Sequence, residues 1–230
     1  MKNPETAQLI GVSTQMVELK LEIQRIARSD AKVLVTGESG VGKELVARAI
    51  HFHSQRVDRP FIAMNCAGLP ETLLESELFG HVKGSFTGAY RDKPGKLETA
   101  DTGTMFLDEV GEMTLRMQGL LLRFLETGEL QKVGADHRGK LTNVRIIAAT
   151  NRNLQELIAK EQFREDLFYR LNVIHFMVPP LRDRREDIPL MIEHFLRRYQ
   201  ALGSHNFVRG FEPEAFQALV EYSWPGNVRE

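Results

Sequence analysis

Along most of the chain, short apolar runs alternate with stretches whose hydrophobic residues recur at helical spacing. Runs rich in β-branched and apolar residues predict strands at 32–36, 61–65, 104–107, 144–150 and 174–178. Apolar positions three and four apart predict helices at 16–27, 44–53, 117–126 and 154–160. In the first of these, Val17, Ile23 and Ile26 stand among charged residues. Such alternation builds a parallel sheet with crossover helices on both faces, an α/β fold. Pro179-Pro180 then stops the last strand, because neither ring nitrogen can donate a ladder hydrogen bond. Beyond it, residues 187–200 and 213–222 read as amphipathic helices with no strand between them. The expected organisation is an α/β domain over 1–178 and a small helical domain over 179–230. A stop so soon after Trp224-Pro225-Gly226 fits a piece excised from a longer protein.

Composition narrows the partners. Acidic and basic side chains nearly cancel, 31 against 30, so the chain lacks the basic field of a stand-alone DNA-binding domain. A protein or a small anion is the expected partner. The single cysteine, Cys66, excludes an intrachain disulfide and suits a reducing compartment; it reads as a small buried apolar residue rather than a reactive thiol. No apolar run reaches the roughly 18 residues of a membrane helix, and no signal-peptide pattern opens the chain. A cytoplasmic location is expected.

The chemistry begins at Gly37-Glu38-Ser39-Gly40-Val41-Gly42-Lys43, which follows a predicted strand and opens a predicted helix. That is the setting a phosphate-binding loop requires. The glycines allow the chain to wrap tightly, backbone N–H groups face phosphate oxygens, and the helix adds its positive dipole end. Lys43 can reach the β- and γ-phosphates, and the nucleotide expected is ATP or its product ADP. Glu44 occupies the position where the general pattern has a Ser or Thr for Mg²⁺; it either helps hold the metal, directly or through water, or turns away into a salt bridge. Downstream, Met105-Phe106-Leu107-Asp108-Glu109 is an apolar strand ending in two carboxylates. Asp108 suits the Mg²⁺ shell, and Glu109 suits orienting and polarising the attacking water.

The predicted helix 71–79 is interrupted by residues 80–89, a stretch with three glycines. Gly84 and Gly88 permit unusual backbone angles and hinge motion. Phe86 between them is either an exposed protein-contact anchor or a ring folded back on the core. A second insertion, 128–143, is rich in Gly, Lys and Asp and suits a companion hairpin. His51 and His53 lie on a predicted helix without zinc spacing and read as structural.

The phosphate loop, the Asp-Glu strand and the helical tail together resemble the AAA+ ATPases. Gly84-Ser85-Phe86-Thr87-Gly88-Ala89 resembles the signature loop of sigma-54-dependent activators, the bacterial enhancer-binding proteins of the nitrogen-regulator type, with Ser85 where that loop usually has Ala. The lead-in Glu75-Ser76-Glu77-Leu78-Phe79-Gly80-His81, the stretch from Phe163 to Asn172, and Trp224-Pro225-Gly226-Asn227-Val228-Arg229-Glu230 are similar to that family too. A loop ending Gly-Lys-Glu is itself usual there. The resemblance covers essentially the whole chain.

The resemblance implies roles. Lys43 contacts phosphates, and Asp108 and Glu109 are the metal and water residues. Asn65 holds the catalytic Glu in an inactive pose. Thr150 and Asn151 form the first sensor of the γ-phosphate, and Arg229 is the second, on the helical lid. Arg164 and Arg170 are arginine fingers for a neighbouring subunit's nucleotide; read without the family they would form surface ion pairs with Glu165 and Asp166, worth about 0–1 kcal/mol each. Ile10 and Gly11 belong to the adenine-side segment. The implied assembly is a homo-oligomeric ring, hexameric or heptameric. Its partners are sigma-54 and the RNA polymerase holoenzyme, with DNA contacted mainly by a domain outside this chain. Two alternatives compete: another AAA+ machine such as an unfoldase or helicase loader, and a nucleotide-binding regulatory or scaffolding protein that turns over slowly or not at all.

Overall fold

The computed structural model describes residues 9–136, 139–202 and 208–230. The first eight residues of the expected α/β domain, and 137–138 within the second insertion, lie outside the described residues. Five strands form the main sheet: β1 (Val33–Thr36), β2 (Phe61–Asn65), β5 (Thr104–Asp108), β8 (Arg145–Thr150) and β9 (Ile174–Met177). Two hairpins intervene in chain order, β3 (Gly80–His81) with β4 (Lys93–Pro94), and β6 (Glu129–Leu130) with β7 (Lys140–Leu141). The helices are α1 (Thr14–Ala27), α2 (Lys43–Phe52), α3 (Glu71–Phe79), α4 (Lys96–Thr99), α5 (Leu115–Thr127), α6 (Leu154–Ala159), α7 (Glu165–Leu171), α8 (Ile188–Leu202) and α9 (Pro213–Glu221).

The main sheet is parallel throughout, in the order β2-β5-β8-β1-β9. Period-two alternation divides its side chains between two cores. Leu34, Met105, Leu107, Ile146 and Ala148 face one core with α3, α5, α6 and α7. Val33, Val35, Phe106, Ile147 and Ala149 face the other, with α1 and α2. Every residue of β8 is buried, as befits the central strand. The chain leaves β1 and returns at β2, two strands beyond its neighbour β8. That reversal opens a crevice at the carboxyl ends of β1 and β8, where open α/β sheets bind ligands.

Local chemistry sets the boundaries. The Thr114 hydroxyl accepts from the Met117 N–H at 3.3 Å to start α5, and Gly128, left-handed at φ 69°, ends it. Gly80 at φ 82° stops α3. The chain then pairs 80–81 with 93–94 and makes only the single turn α4, so the interruption after α3 runs longer than 80–89. Residues 128–143 supply the expected hairpin, and it joins the first insertion: His81 bridges to Val133, and the Val133 N–H donates to the Gly80 carbonyl. Cys66 is buried, and burial pushes its thiol up to about 12. The His51 ring bonds the Thr104 hydroxyl at 2.9 Å in the core. No helix among the described residues is long and apolar enough to cross a membrane.

After β9 come α8 and α9; Leu181 from the turn ahead of α8 joins Ile188 and Met191 of α8 in an apolar cluster that packs with Ile10, Trp224 and Val228. Asp187 ties this helical unit to the start of α1. It is fully buried and accepts from the Val12 N–H at 2.6 Å, the Ser13 N–H at 2.7 Å and the Ser13 hydroxyl at 2.8 Å. A Cβ on Gly11 would meet its carboxylate at 2.7 Å, so the chain needs glycine there. Asp187→Ala strands the two buried Ser13 donors and the part-buried Val12 N–H, and is expected to cost about 3 kcal/mol of stability. Urea unfolding checks this; a change under about 0.5 kcal/mol, the range of ordinary surface substitutions, would contradict it.

Candidate nucleotide site

Gly37, Gly40 and Gly42 all take positive φ, which lets residues 37–43 curl back between β1 and α2. The first-turn N–H groups of α2 have no acceptor inside the helix and face the hollow of this curl. Lys43 is the first residue of α2, and its side chain is buried. Its ammonium donates to the Gly37 carbonyl at 2.9 Å and the Glu38 carbonyl at 3.2 Å, and lies 3.9 Å from Glu109 Oε1. Burial lowers its pKa, while the Glu109 and Asp108 charges oppose the shift.

Asp108 ends β5, level with Asn65 on β2. Burial raises its pKa, the Glu109 charge adds to this, and Lys43 counters it. A cation would relieve the same crowding. Mg²⁺ needs only one or two carboxylates beside phosphate oxygens, so Asp108 fits that duty although no cluster of three metal-binding side chains exists among the described residues. Glu109 is left-handed at φ 54°, a conformation costly for a non-glycine residue and characteristic of functional sites. That backbone aims its carboxylate at Lys43 on one side. On the other, Oε2 accepts from the Asn151 N–H at 3.3 Å, just past β8. Thr150 is buried, and its hydroxyl accepts from the Arg152 N–H at 3.1 Å; a Cβ on Gly111 would meet that hydroxyl at 2.9 Å.

The structure thus brings Lys43, Asp108, Glu109, Thr150 and Asn151 to one crevice. Asn65 lies at its edge, exposed, and accepts from the Ala67 N–H at 2.7 Å rather than engaging Glu109. Glu44 takes the salt-bridge alternative. Its carboxylate accepts from Arg48 at 2.6 and 2.9 Å, so in this state it is turned away from metal duty. A cavity of about 910 Å³ opens beside the loop, lined by Ile10, Val41, Leu45, Arg184 and Phe195 among others. Ile10, expected on the adenine side, thus lies on its wall, and Gly11 is not among its lining residues.

Arg229 approaches the loop from the lid and donates to the Ser39 hydroxyl at 3.0 Å. Arg164 and Arg170 do not come to the site. Arg164 forms a forked pair with Asp166 at 2.7 and 3.0 Å, not with Glu165. Arg170 is exposed, and its charge bears on Lys32, before β1, whereas the phosphate loop follows β1. Within one chain, Arg170 therefore faces the wrong end of the sheet.

The loop from Gly84 to Ala89 closes with the Gly84 N–H donating to the Ala89 carbonyl at 2.8 Å. Gly84 and Gly88 are left-handed at 83° and 102°. Phe86 is neither fully exposed nor part of the core. It is half-buried, its ring edge-on to His81 with centroids 4.9 Å apart, and the fully exposed aromatic is Tyr90 beside it. Ser85 packs under Gly134 of the second hairpin, where a Cβ would meet Ser85 Cβ at 2.6 Å. Thr87 at the tip is exposed.

Sequence reasoning missed Arg182, Arg184, Asp187 and Asn227. Arg184 is buried and donates to the Val41 carbonyl at 3.1 Å, and Arg182 and Asn227 grip Glu38. The signal was a charge cluster, Arg182 to Asp187, right at the expected domain boundary.

A phosphate loop after the first strand of this parallel sheet, an acidic pair on the strand beyond its neighbour, and a helical lid define a P-loop nucleotide-binding domain of the AAA+ class. The chain belongs to the sigma-54 interaction domain family. The model of that domain matches residues 9–177, and that of the AAA+ ATPase lid domain matches 182–230. Regulatory protein AtoC of Escherichia coli (strain K12) is 52% identical over 218 residues, which are 95% of this chain and 47% of that protein. NtrX from Brucella abortus in complex with ADP has a TM-score of 0.88 at 41% identity, over 97% of this chain and 49% of that one. Its complex with ATP gives 0.87 at 42%, over 96% and 50%. The chain spans about half the length of the curated relatives it matches.

Proposed function

We propose that this chain hydrolyses ATP and uses the cycle to drive the Gly84–Ala89 loop against sigma-54, remodelling a closed promoter complex of the RNA polymerase holoenzyme to an open one. Sigma-54-dependent transcription in the cytoplasm is part of the same reading. One observation carries it: the Lys43 ammonium stands between the carbonyls of its own loop and the Glu109 carboxylate, whose other oxygen is bonded to the amide after β8.

A triphosphate would replace the Gly37 and Glu38 carbonyls as the acceptor for Lys43. Mg²⁺ at Asp108 would supply charge neutralisation for the phosphate oxygens. Glu109, released from Lys43, would orient the attacking water, and its bond to Asn151 would link that change to β8. Phosphoryl transfer asks mainly for positioning and charge placement, which this cradle provides. The second hairpin, bridged to His81, gives the Phe86 loop a seat to leave and return to. A ring would bring Arg164 and Arg170 to the neighbour's nucleotide, since neither serves its own.

The test is binding of this domain to sigma-54 with and without an ATP transition-state mimic. Binding only with the mimic is expected, and equal binding in both conditions would contradict the proposal. Phe86→Ala should weaken the mimic-dependent complex about 30-fold or more, the size of an aromatic hot spot, while ATP turnover persists. Full promoter opening by that variant would remove Phe86 from its role.

A further inference from the structure

The Glu38 side chain points away from the hollow of the phosphate loop and into the lid. Its two oxygens accept from both terminal nitrogens of Arg182, at 2.6 and 2.8 Å, in a fork that fixes direction as well as distance. Oε2 also accepts from Asn227 Nδ2 at 3.1 Å. Asn227 is almost wholly buried, and each end of its carboxamide is used: Nδ2 donates again to the Ser39 carbonyl at 3.0 Å, and Oδ1 accepts from the Leu181 N–H at 2.8 Å. Its backbone is left-handed at φ 55°, strain held in place by this surrounding network. The next residue continues the seam, the Val228 N–H donating to the Gly40 carbonyl at 3.1 Å. Gly40 has no room for a side chain, because a Cβ would meet the Gly226 carbonyl at 2.2 Å. The Arg182 guanidinium and the Asn227 amide together hold the Glu38 carboxyl down at about 2.

We propose that Glu38 is a positioning residue that clamps the lid onto the phosphate loop through Arg182 and Asn227, so that nucleotide affinity depends on a contact that touches no nucleotide. The clamp deepens the ATPase reading above and rests on it. The physical link is short. The Glu38 carbonyl is an acceptor of the Lys43 ammonium, while the Glu38 carboxylate is the acceptor of the lid. A phosphate that draws Lys43 off the loop carbonyls therefore acts on the residue that carries the lid. Conversely, a lid held by this clamp keeps Arg229 on Ser39 and Val228 on Gly40, and Val228 also lines the cavity beside the loop. The side chains of Glu38 and Arg182 remain partly exposed, so the ionic part is of surface size, and the directional fork and the buried amide set the geometry.

Two readouts test the clamp. The first is hydrogen exchange of the Val228 amide in the nucleotide-free protein. Glu38→Gln and Arg182→Gln should each speed it roughly threefold to fivefold, with β1 and β8 amides unchanged, and the double variant should go no further than the worse single. The second is affinity for a fluorescent ATP analogue. Arg182→Gln should raise its Kd by a similar roughly threefold to fivefold while turnover at saturating ATP is retained, and Arg182→Lys should recover part of the loss. Unchanged exchange in the Glu38 variant, additive effects in the double variant, or faster exchange with unaltered affinity would each overturn the clamp. Absence of ATP binding by the unaltered chain would instead sink the ATPase reading, and the exchange comparison would still report on the clamp.

Discussion

Glu109→Gln should cut ATP turnover about a thousandfold while ATP still binds. A residue that places the attacking water contributes on the order of 10²–10⁴ in rate. Glutamine keeps the length of the side chain and an acceptor for the Asn151 N–H, so the left-handed turn at 109 survives. It removes one negative charge that lies 3.9 Å from Lys43 and beside the expected phosphates, so nucleotide binding has no reason to fall. Steady-state phosphate release and equilibrium binding of a labelled nucleotide separate the two effects. Turnover within threefold of the unaltered protein would take the water-positioning role from Glu109.

Arg170→Ala is the larger test. An arginine finger is worth about 10³–10⁵ in turnover. Arg170 is exposed on α7 and its charge bears on Lys32, ahead of β1, whereas the phosphate loop follows β1; on the proposed ring reading it serves a second copy's nucleotide. The expected outcome is a loss of about a thousandfold or more with ATP affinity of the single chain intact, together with recovery when the variant is mixed with a chain that is inactive through Lys43→Ala. Mixed rings place an intact Arg170 beside an intact loop, which neither parent has. A modest loss with no recovery on mixing would assign Arg170 to surface charge alone. Arg164 starts from a different state, since its fork to Asp166 must open before it can reach a neighbour.

The sheet and the phosphate cradle were legible because their signals are local. β2 falls on its expected residues, and β1, β5, β8 and β9 differ from expectation by one residue at an end. Lys43, Asp108 and Glu109 meet because each follows or ends a strand at the same edge of the sheet. The elements that escaped are short or depend on distant partners. The two-residue pairing of β3 with β4 carries no periodicity, α4 is a single turn, and α7 spans only seven residues. Glu38 and Asn227 stand inside recognisable motifs and Arg182 in none, and nothing local pairs the three. Their roles arise from contacts between chain segments more than a hundred residues apart. Two residues with open alternatives have partners that no local pattern announces: Glu44 pairs with Arg48 one helical turn away, and Phe86 lies edge-on to His81.

Everything functional here depends on the loop at 37–43 gripping a triphosphate that the carboxylates at 108 and 109 help to cleave. Phosphate release from Mg·ATP, followed over a wide range of chain concentration, tests this most directly. The account predicts turnover that Lys43→Ala abolishes and that climbs steeply per chain as copies assemble. No ATP-dependent phosphate at any concentration, or a rate per chain indifferent to concentration, would contradict it.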